Sequence, residues 1–286
     1  MKVTCSLIRD DMVDGVAKCL ERGFPGRSKN YWVRSLERQM RLPAIDGYPR
    51  LGYALSAEGG IVGVILLIFS ICHDADRHYV RCNMASFCAD IAYRGSAIAL
   101  HMAAVRHKEV TYFNISPAPH TFAFIEALGF RRLSDGQVLL VPALSSPRPN
   151  VRVSVFSVDH AAAARLSENE RRILADHSTL GCIALVCSTD DAVSPFVFQR
   201  RTLVRGLWSC PQLLYCRSMD ELVHFAGPLG RFLLFRQGPF LIIDANGPIR
   251  GLLGRYFPEQ SPKYFKGPIS PYIGDLSYTE LAIFEP

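Results

Sequence analysis

Twelve residues, Ile61 to Cys72, form a run that is apolar on both faces and is interrupted only by Gly63 and Ser70. A strand with one apolar face can lie at a sheet surface, but one that is apolar on both needs cover on both sides. The run therefore reads as a central strand of a sheet flanked by helices. As a helix it would rise only about 18 Å, short of the roughly 30 Å hydrocarbon core of a bilayer, so it is not a membrane span. Leu51 to Ser56 and the turn Glu58-Gly59-Gly60 precede it, completing a hairpin.

The chain has 286 residues, 49% of them hydrophobic and 20% charged. That length suits about two domains, and that composition excludes an intrinsically disordered chain. The formal net charge is +6, but no basic stripe accompanies it, so nucleic acid is not an expected partner. The nine cysteines contain no CxxC pair, which argues against a zinc ribbon and a disulfide framework, and no metal is expected. Asp10, Asp11 and Asp14 follow soon after Met1 where a secretory leader would be apolar, so the expected location is cytoplasmic.

Local signals give an order of elements. Val3 to Ile8 reads as a strand. A helix follows, with Val13, Val16, Ala17 and Leu20 inward, and then a second helix capped by Ser28. After the hairpin come a strand at about Val80 to Cys88, an alanine-rich helix, a strand at Val110 to Ile115 and a helix at Pro119 to Leu128. Phe130 to Val141 reads as a hairpin around Ser134-Asp135-Gly136. The stretch Pro142 to Pro149 has linker composition, giving an expected first domain at 1–143 and a second at 150–286.

The second half restarts with the strand Val151 to Phe156, a helix opened by Asp159 and another capped by Ser167-Glu168-Asn169-Glu170. A helix at Met219 to Ala226, strand through Phe232 to Asp244 and a last strand at Ser277 to Phe284 complete the reading. The order β-α-α-β-β-β-α-β occurs twice.

The segment Ser86 to Leu100 carries the chemistry. A strand runs into the turn Arg94-Gly95-Ser96-Ala97-Ile98-Ala99 and then a helix. Successive amides at such a turn converge, and the helix dipole adds positive potential, which makes a cradle for pyrophosphate. Gly95 as a tight turn and Ser96 as a cap is the plainer alternative.

Together with the preceding hairpin and the later Ile125-Glu126-Ala127-Leu128-Gly129-Phe130, residues 3–141 resemble the GNAT superfamily of acyl-CoA-dependent N-acyltransferases. That family's phosphate loop reads R/Q-x-x-G-x-G/A, and Ala97 stands at its middle glycine. The resemblance implies an α/β fold with a mixed sheet, here as two tandem GNAT-like lobes, the second degenerate. It further implies acetyl-CoA or another acyl-CoA as co-substrate. Its pyrophosphate would lie on Arg94, Gly95, Ser96, Ala97, Ile98 and Ala99, and its pantetheine arm between strands 82–88 and 110–115, on backbone groups of Phe87 and Cys88. The acceptor implied is a small-molecule or peptide amine.

The family's tyrosine, which protonates the leaving thiolate, is Ile125 here, with Ser116 or His120 as substitutes on the same side. Asp90, Glu58, His73 and His78 are the candidate bases, and Asp90 and His120 are taken as the catalytic pair. The missing tyrosine favours an alternative, a non-catalytic acyl-CoA-binding or regulatory protein.

Overall fold

The computed structural model describes residues 3–74, 77–203 and 208–284. In chain order the first elements are β1 (Thr4–Leu7), α1 (Val13–Gly23), α2 (Lys29–Met40), β2 (Gly52–Ala57) and β3 (Gly60–Asp74). Then come β4 (Arg77–Ala89), α3 (Ala97–Ala104), β5 (Thr111–Asn114), α4 (Phe122–Ala127) and β6 (Arg131–Leu140). β7 (Arg152–Val155), α5 (Ala161–Ala164), α6 (Glu168–Thr179), β8 (Ile183–Ser188) and β9 (Val193–Gln199) follow. The chain continues with β10 (Thr202–Leu203), β11 (Trp208–Ser209), β12 (Gln212–Cys216) and α7 (Met219–Gln237). β13 (Leu241–Ala245), β14 (Gly254–Lys266) and α8 (Glu280–Ile283) complete it.

These elements form two compact units that are not consecutive stretches of chain. The first comprises residues 3–131, 264–270 and 278–284, and the second residues 132–263 and 271–277. In the first, strands lie in the order β1-β2-β3-β4-β5, followed by the end of β14, with Tyr264 opposite Asn114. All neighbours are antiparallel except β4 and β5, which are parallel. The two-faced apolar run becomes β3, in the middle of this order. Tyr53, Leu55, Ile65, Leu67, Cys82, Met84 and Leu100 form a core on one of its faces. Ser28 caps α2 by accepting from the Tyr31 amide, as its position in the sequence suggests.

The second unit repeats the order as β7-β8-β9-β12-β13, but its next strand is β6. Each five-strand series is thus completed by a strand from the other half of the sequence. Ser167 and Glu170 make the expected capping box on α6. Phe196, Phe198, Leu213, Phe225, Leu229, Leu241 and Ile243 pack between the strands and α7. Deep in this unit Lys263 Nζ lies 3.3 Å from Asp244 Oδ1, both side chains 2% exposed. Gln137 and Gln212 donate to the same carboxylate at 2.9 and 3.0 Å.

Four local expectations are corrected. Ser134-Asp135-Gly136 is not a hairpin turn, because β6 runs unbroken, with Gly136 opposite Ala245. A Cβ at Gly136 would stand 2.3 Å from the Phe257 carbonyl, so the glycine serves a close backbone approach. Helix α7 does not stop at Ala226 but continues past Pro228 to Gln237, replacing the strand expected from Phe232. The stretch from Pro142 is no free linker: Cβ atoms at Gly227 and Gly230 would collide with the backbone of Ser146 and Ala143, at 2.3 and 2.2 Å. Arg231 also donates to the carbonyl of Ala143. Ser277 to Phe284, expected as a strand, contains the helical turn α8.

Candidate functional site

The parallel pairing of β4 with β5 is short. Arg81 opposes Thr111, Cys82 opposes Tyr112 and Asn83 opposes Phe113. β5 ends at Asn114 while β4 continues to Ala89, so β4 outruns its parallel neighbour by several residues. Beyond Asn83, β4 keeps its ladder with β3, but with a bulge: Leu66 opposes Ala85 and Val64 opposes Cys88. Ser86 and Phe87 therefore face the single residue Ile65, and Ser86 takes φ +51°. A bulge releases a residue from the ladder and re-aims its neighbours, which is how backbone amides become available to a ligand. Exposure begins at the same point. Arg81 to Ala85 are buried, Ser86 and Cys88 are half-buried and Phe87 is exposed.

After Ala89 the chain makes a tight turn, Ile91–Ser96, into α3. Arg94 and Gly95 are exposed, and a Cβ at Gly95 would meet nothing within 4 Å. The fold itself does not require a glycine there. Ser96 makes no side-chain cap and the first turn of α3 holds no acidic residue, but the 3-10 turn Ile91–Ser96 runs straight into α3, with Ser96 itself helical and the Ala97 amide donating to the Arg94 carbonyl. Such a terminus attracts an anion by its partial positive charge. The corresponding helix of the second unit, α7, is closed. Ser218 accepts from the Glu221 amide, and Asp220 and Glu221 occupy its first turn.

The end of α1 supports the bulge from one side. A Cβ at Gly23 would lie 2.6 Å from Cys88 Cβ, so glycine permits this contact. Cys88 Sγ sits 3.9 Å from the Cys19 carbonyl. Its hydrogen bond with Cys19 and its burial push the thiol up, which removes it as a nucleophile at neutral pH.

The expected proton-transfer residues are dispersed. Asp90 follows β4 directly, but Arg22 donates to both its oxygens, at 2.7 and 3.1 Å. His73 and His78 pack edge to face at 4.4 Å where the β3–β4 hairpin turns, the end of β4 remote from Ala89. Ten residues of strand, about 33 Å, separate that end from Cys88, so neither histidine reaches it. Glu58 is exposed in the β2–β3 turn. His120 is exposed in the turn Pro119–Thr121 that follows β5. Ile125 is buried beside Tyr112, Phe130 and Tyr264, a core position with no route to a leaving group.

Two residues the sequence did not single out lie where β4 and β5 part: Asn83 and Glu280. Asn83 Oδ1 accepts the Glu280 amide at 2.6 Å, and Ser116 Oγ donates to Glu280 Oε1. No local signal marks Glu280, because Ser116 is 164 residues away in sequence. Among the described residues no cluster of three or more His, Cys, Asp or Glu side chains could hold a metal, and no helix is long and apolar enough to cross a membrane.

Comparison of this architecture with solved structures identifies it. A GCN5-related N-acetyltransferase from Anabaena variabilis aligns with a TM-score of 0.61 at 10% identity, over 92% of this chain and 72% of that one. This is the GCN5-related N-acetyltransferase fold. A GCN5-related N-acetyltransferase from Kribbella flavida also shares it, with a TM-score of 0.56 at 13% identity, over 92% of this chain and 70% of its own. So does a conserved Enterococcus faecalis protein of unknown function, with a TM-score of 0.59 at 10% identity over 97% and 74% of the two chains. Neither a protein-family model nor a curated protein matches the sequence. In this N-acetyltransferase fold the bulged β4, the turn at Arg94 to Ser96 and α3 lie consecutively in the first unit, and the second unit repeats the strand order.

Proposed function

We propose that the first unit binds acyl-CoA and transfers its acyl group to an amine. The observation that carries this is the helical start at Ile91–Ala97, exposed at Arg94 and Gly95, without an acidic side chain in its first turns and with an open glycine, after a bulged strand. The pyrophosphate would lie on the amides of Arg94, Gly95, Ser96, Ala97, Ile98 and Ala99, with the Arg94 side chain adding charge. The pantetheine arm would run back along the open edge of β4, its amides on backbone groups of Phe87 and Cys88. The same backbone would hold the thioester carbonyl.

Attack by an amine builds negative charge on that oxygen, and a preorganised amide stabilises it at a cost already met by folding. The thiolate then departs. With Ile125 at the family's tyrosine position, the proton would be returned to it by His120, exposed in the turn after β5. Asp90, tied to Arg22, would instead fix α1 against the start of the phosphate turn. Acetyl-CoA is the simplest co-substrate for the site. The acidic, capped start of α7 supports one CoA per chain, held by the first unit. The burial of Ile125 also suits a second reading, in which the protein binds acyl-CoA without turnover.

Titration with acetyl-CoA, followed by an assay of free thiol with added amines, separates the readings. Binding with amine-dependent thiol release supports the transferase, and saturation without release supports the binder. An absence of binding removes both.

A further inference from the structure

The end of β4 meets α1 through two thiols in contact. Cys19, 1% exposed, lies on the buried face of α1 with Val16 and Leu20, and Cys88 is half-buried at the close of the β4 bulge. The thiols are hydrogen-bonded, Cys88 donating and Cys19 accepting. Cys88 Sγ also lies 3.9 Å from the Cys19 carbonyl, and a Cβ at Gly23, one turn further along α1, would stand 2.8 Å from that sulfur. Cys88 is thus seated against the helix between residues 19 and 23. Arg22 fixes the same turn of α1 by its bonds to Asp90, two residues after Cys88, and to the Ile61 carbonyl. The hydrogen bond from Cys88, helped by the Arg22 cation, holds the Cys19 thiol below the usual range against the pull of burial. Burial pushes the thiols of Cys5, Cys82, Cys187, Cys210 and Cys216 the other way.

We propose that Cys19 and Cys88 form a reversible disulfide under peroxide, and that this bond switches off the acyl-CoA site. The disulfide stands on the cysteine geometry alone, while the switch rests on the acyl-CoA reading given above. A disulfide holds its sulfurs about 2.05 Å apart, well inside hydrogen-bond contact, so closing it draws the end of β4 towards α1. Arg22 holds that turn of α1, so the movement falls on the bulge, where Ser86 already takes φ +51°. The backbone groups of Phe87 and Cys88 move with it. A shift of about 1 Å at a binding constellation can cost up to about 100-fold.

In the first step the Cys19 thiolate attacks one oxygen of hydrogen peroxide, the O–O bond breaks and hydroxide leaves, giving a sulfenic acid. The Cys88 sulfur then displaces the sulfenic hydroxyl and passes it the thiol proton, so the S–S bond forms and water is released. Two electrons pass from the thiol pair to peroxide, whose oxygens both end as water. Peroxide is small enough to enter where Cys88 is half-buried. A dithiol reductant returns the two electrons and reopens the pair.

The test treats the full chain with hydrogen peroxide, blocks remaining thiols with N-ethylmaleimide and maps cross-linked peptides by mass spectrometry. Acetyl-CoA is titrated by calorimetry before oxidation, after it, and again after dithiothreitol. The expected result is a Cys19–Cys88 cross-link as the main product, with acetyl-CoA affinity down at least about tenfold and recovered by dithiothreitol. Cys19→Ala should bind acetyl-CoA within about threefold of wild type and lose no more than about threefold on the same treatment. Both thiols still open to N-ethylmaleimide, or cross-linked elsewhere, overturn the disulfide and the switch together. A complete cross-link with affinity within about threefold of the reduced protein overturns the switch and leaves the CoA site standing. So does a Cys19→Ala protein that loses affinity as wild type does. If that variant melts early, the wild-type titrations before and after dithiothreitol decide. If reduced wild type binds no acetyl-CoA, the acyl-CoA reading fails and the switch falls with it, while the peptide map still decides the disulfide.

Discussion

Arg22 holds Asp90 through two hydrogen bonds, at 2.7 and 3.1 Å, and donates a third to the carbonyl of Ile61 at 2.9 Å. One guanidinium thus ties the end of α1 to the start of β3 and the end of β4, next to the turn Ile91–Ser96. A carboxylate engaged on both oxygens is a poor proton acceptor. Asp90→Asn should accordingly keep acyl-transfer kcat within about threefold, where loss of a general base costs about 100-fold or more. Because the pair is partly solvent-exposed, melting should shift by no more than about 1 kcal/mol of stability. A hundredfold loss of kcat at unchanged melting temperature would restore Asp90 as the base.

His101 titrates on the acid side of its usual range. Burial, reinforced by the Lys266 cation, lowers its pKa from the usual value to about 4. Phe124 and Phe130 pack around the ring at 6.1 and 5.9 Å. The folded protein holds this imidazole neutral while the unfolded chain protonates it below about pH 6.5, so the unfolded state binds more protons between those two values. The stability that His101 allows at neutral pH is lost as pH falls from about 6.5 towards 4. Urea unfolding at pH 7 and pH 5 should show a larger loss in wild type than in His101→Leu. Equal losses would contradict the assignment.

Lys263 and Asp244 form a buried pair in which each supplies what the other needs. Lys263→Met leaves the Asp244 carboxylate without its cation, with Gln137 and Gln212 still donating to it, deep in the second unit. Breaking such a pair on one side costs about 3–5 kcal/mol. The denaturant midpoint should drop accordingly. A change below about 1 kcal/mol would show that the glutamines alone satisfy the carboxylate.

Two glycines separate fold from function. A Cβ at Gly230 would meet the Ala143 nitrogen at 2.2 Å, so Gly230→Ala should destabilise by about 1–3 kcal/mol. A Cβ at Gly95 meets nothing within 4 Å, and Gly95→Ala should leave melting unchanged or slightly raised. Differential scanning of the two variants side by side checks both statements. A Gly95→Ala protein that melts well below wild type would mean the glycine is structural.

The sequence was legible where local chemistry decides structure. The two-faced apolar run of β3, the Ser28 and Ser167 caps, the Glu58-Gly59 turn with φ of +47° and +80°, and the order strand–turn–α3 all follow from residues near one another. It misled where a distant segment sets the requirement. Asp135-Gly136 carries a turn signal, yet its glycine is there for β14, which itself escaped notice because Pro258 and Pro262 interrupt its pattern and Glu259 and Ser261 take positive φ. Gly227-Pro228 reads as a helix end, but α7 continues because its glycines admit the segment from Pro142.

The same reason explains the site. The proposed phosphate turn, Arg94 to Ala99, is a contiguous motif, whereas the bulge at Ser86 becomes visible only through the register with β3. Glu280 reaches Asn83 from 197 residues away, a distance no local pattern bridges.

The exchange of completing strands makes its own prediction. Residues 1–149 lack the β14 segment that pairs with β5, and residues 150–286 lack the β6 strand that pairs with β13. Each piece made alone should show poor cooperativity in thermal unfolding monitored by circular dichroism, because an unfilled sheet position leaves backbone groups without partners. Sharp transitions at the intact protein's melting temperature would contradict this account of the units.

The central claim is that acyl-CoA binds where β4 runs into α3, and calorimetric titration of acetyl-CoA into wild type and Gly95→Asp tests it most directly. A carboxylate placed at that turn opposes the pyrophosphate by charge and by volume, while the open surroundings of Gly95 leave the fold intact. The account predicts one site per wild-type chain, and loss of measurable binding in a Gly95→Asp protein that melts as wild type does. Equal affinity in the two proteins, or two equivalent sites in the wild type, would contradict it.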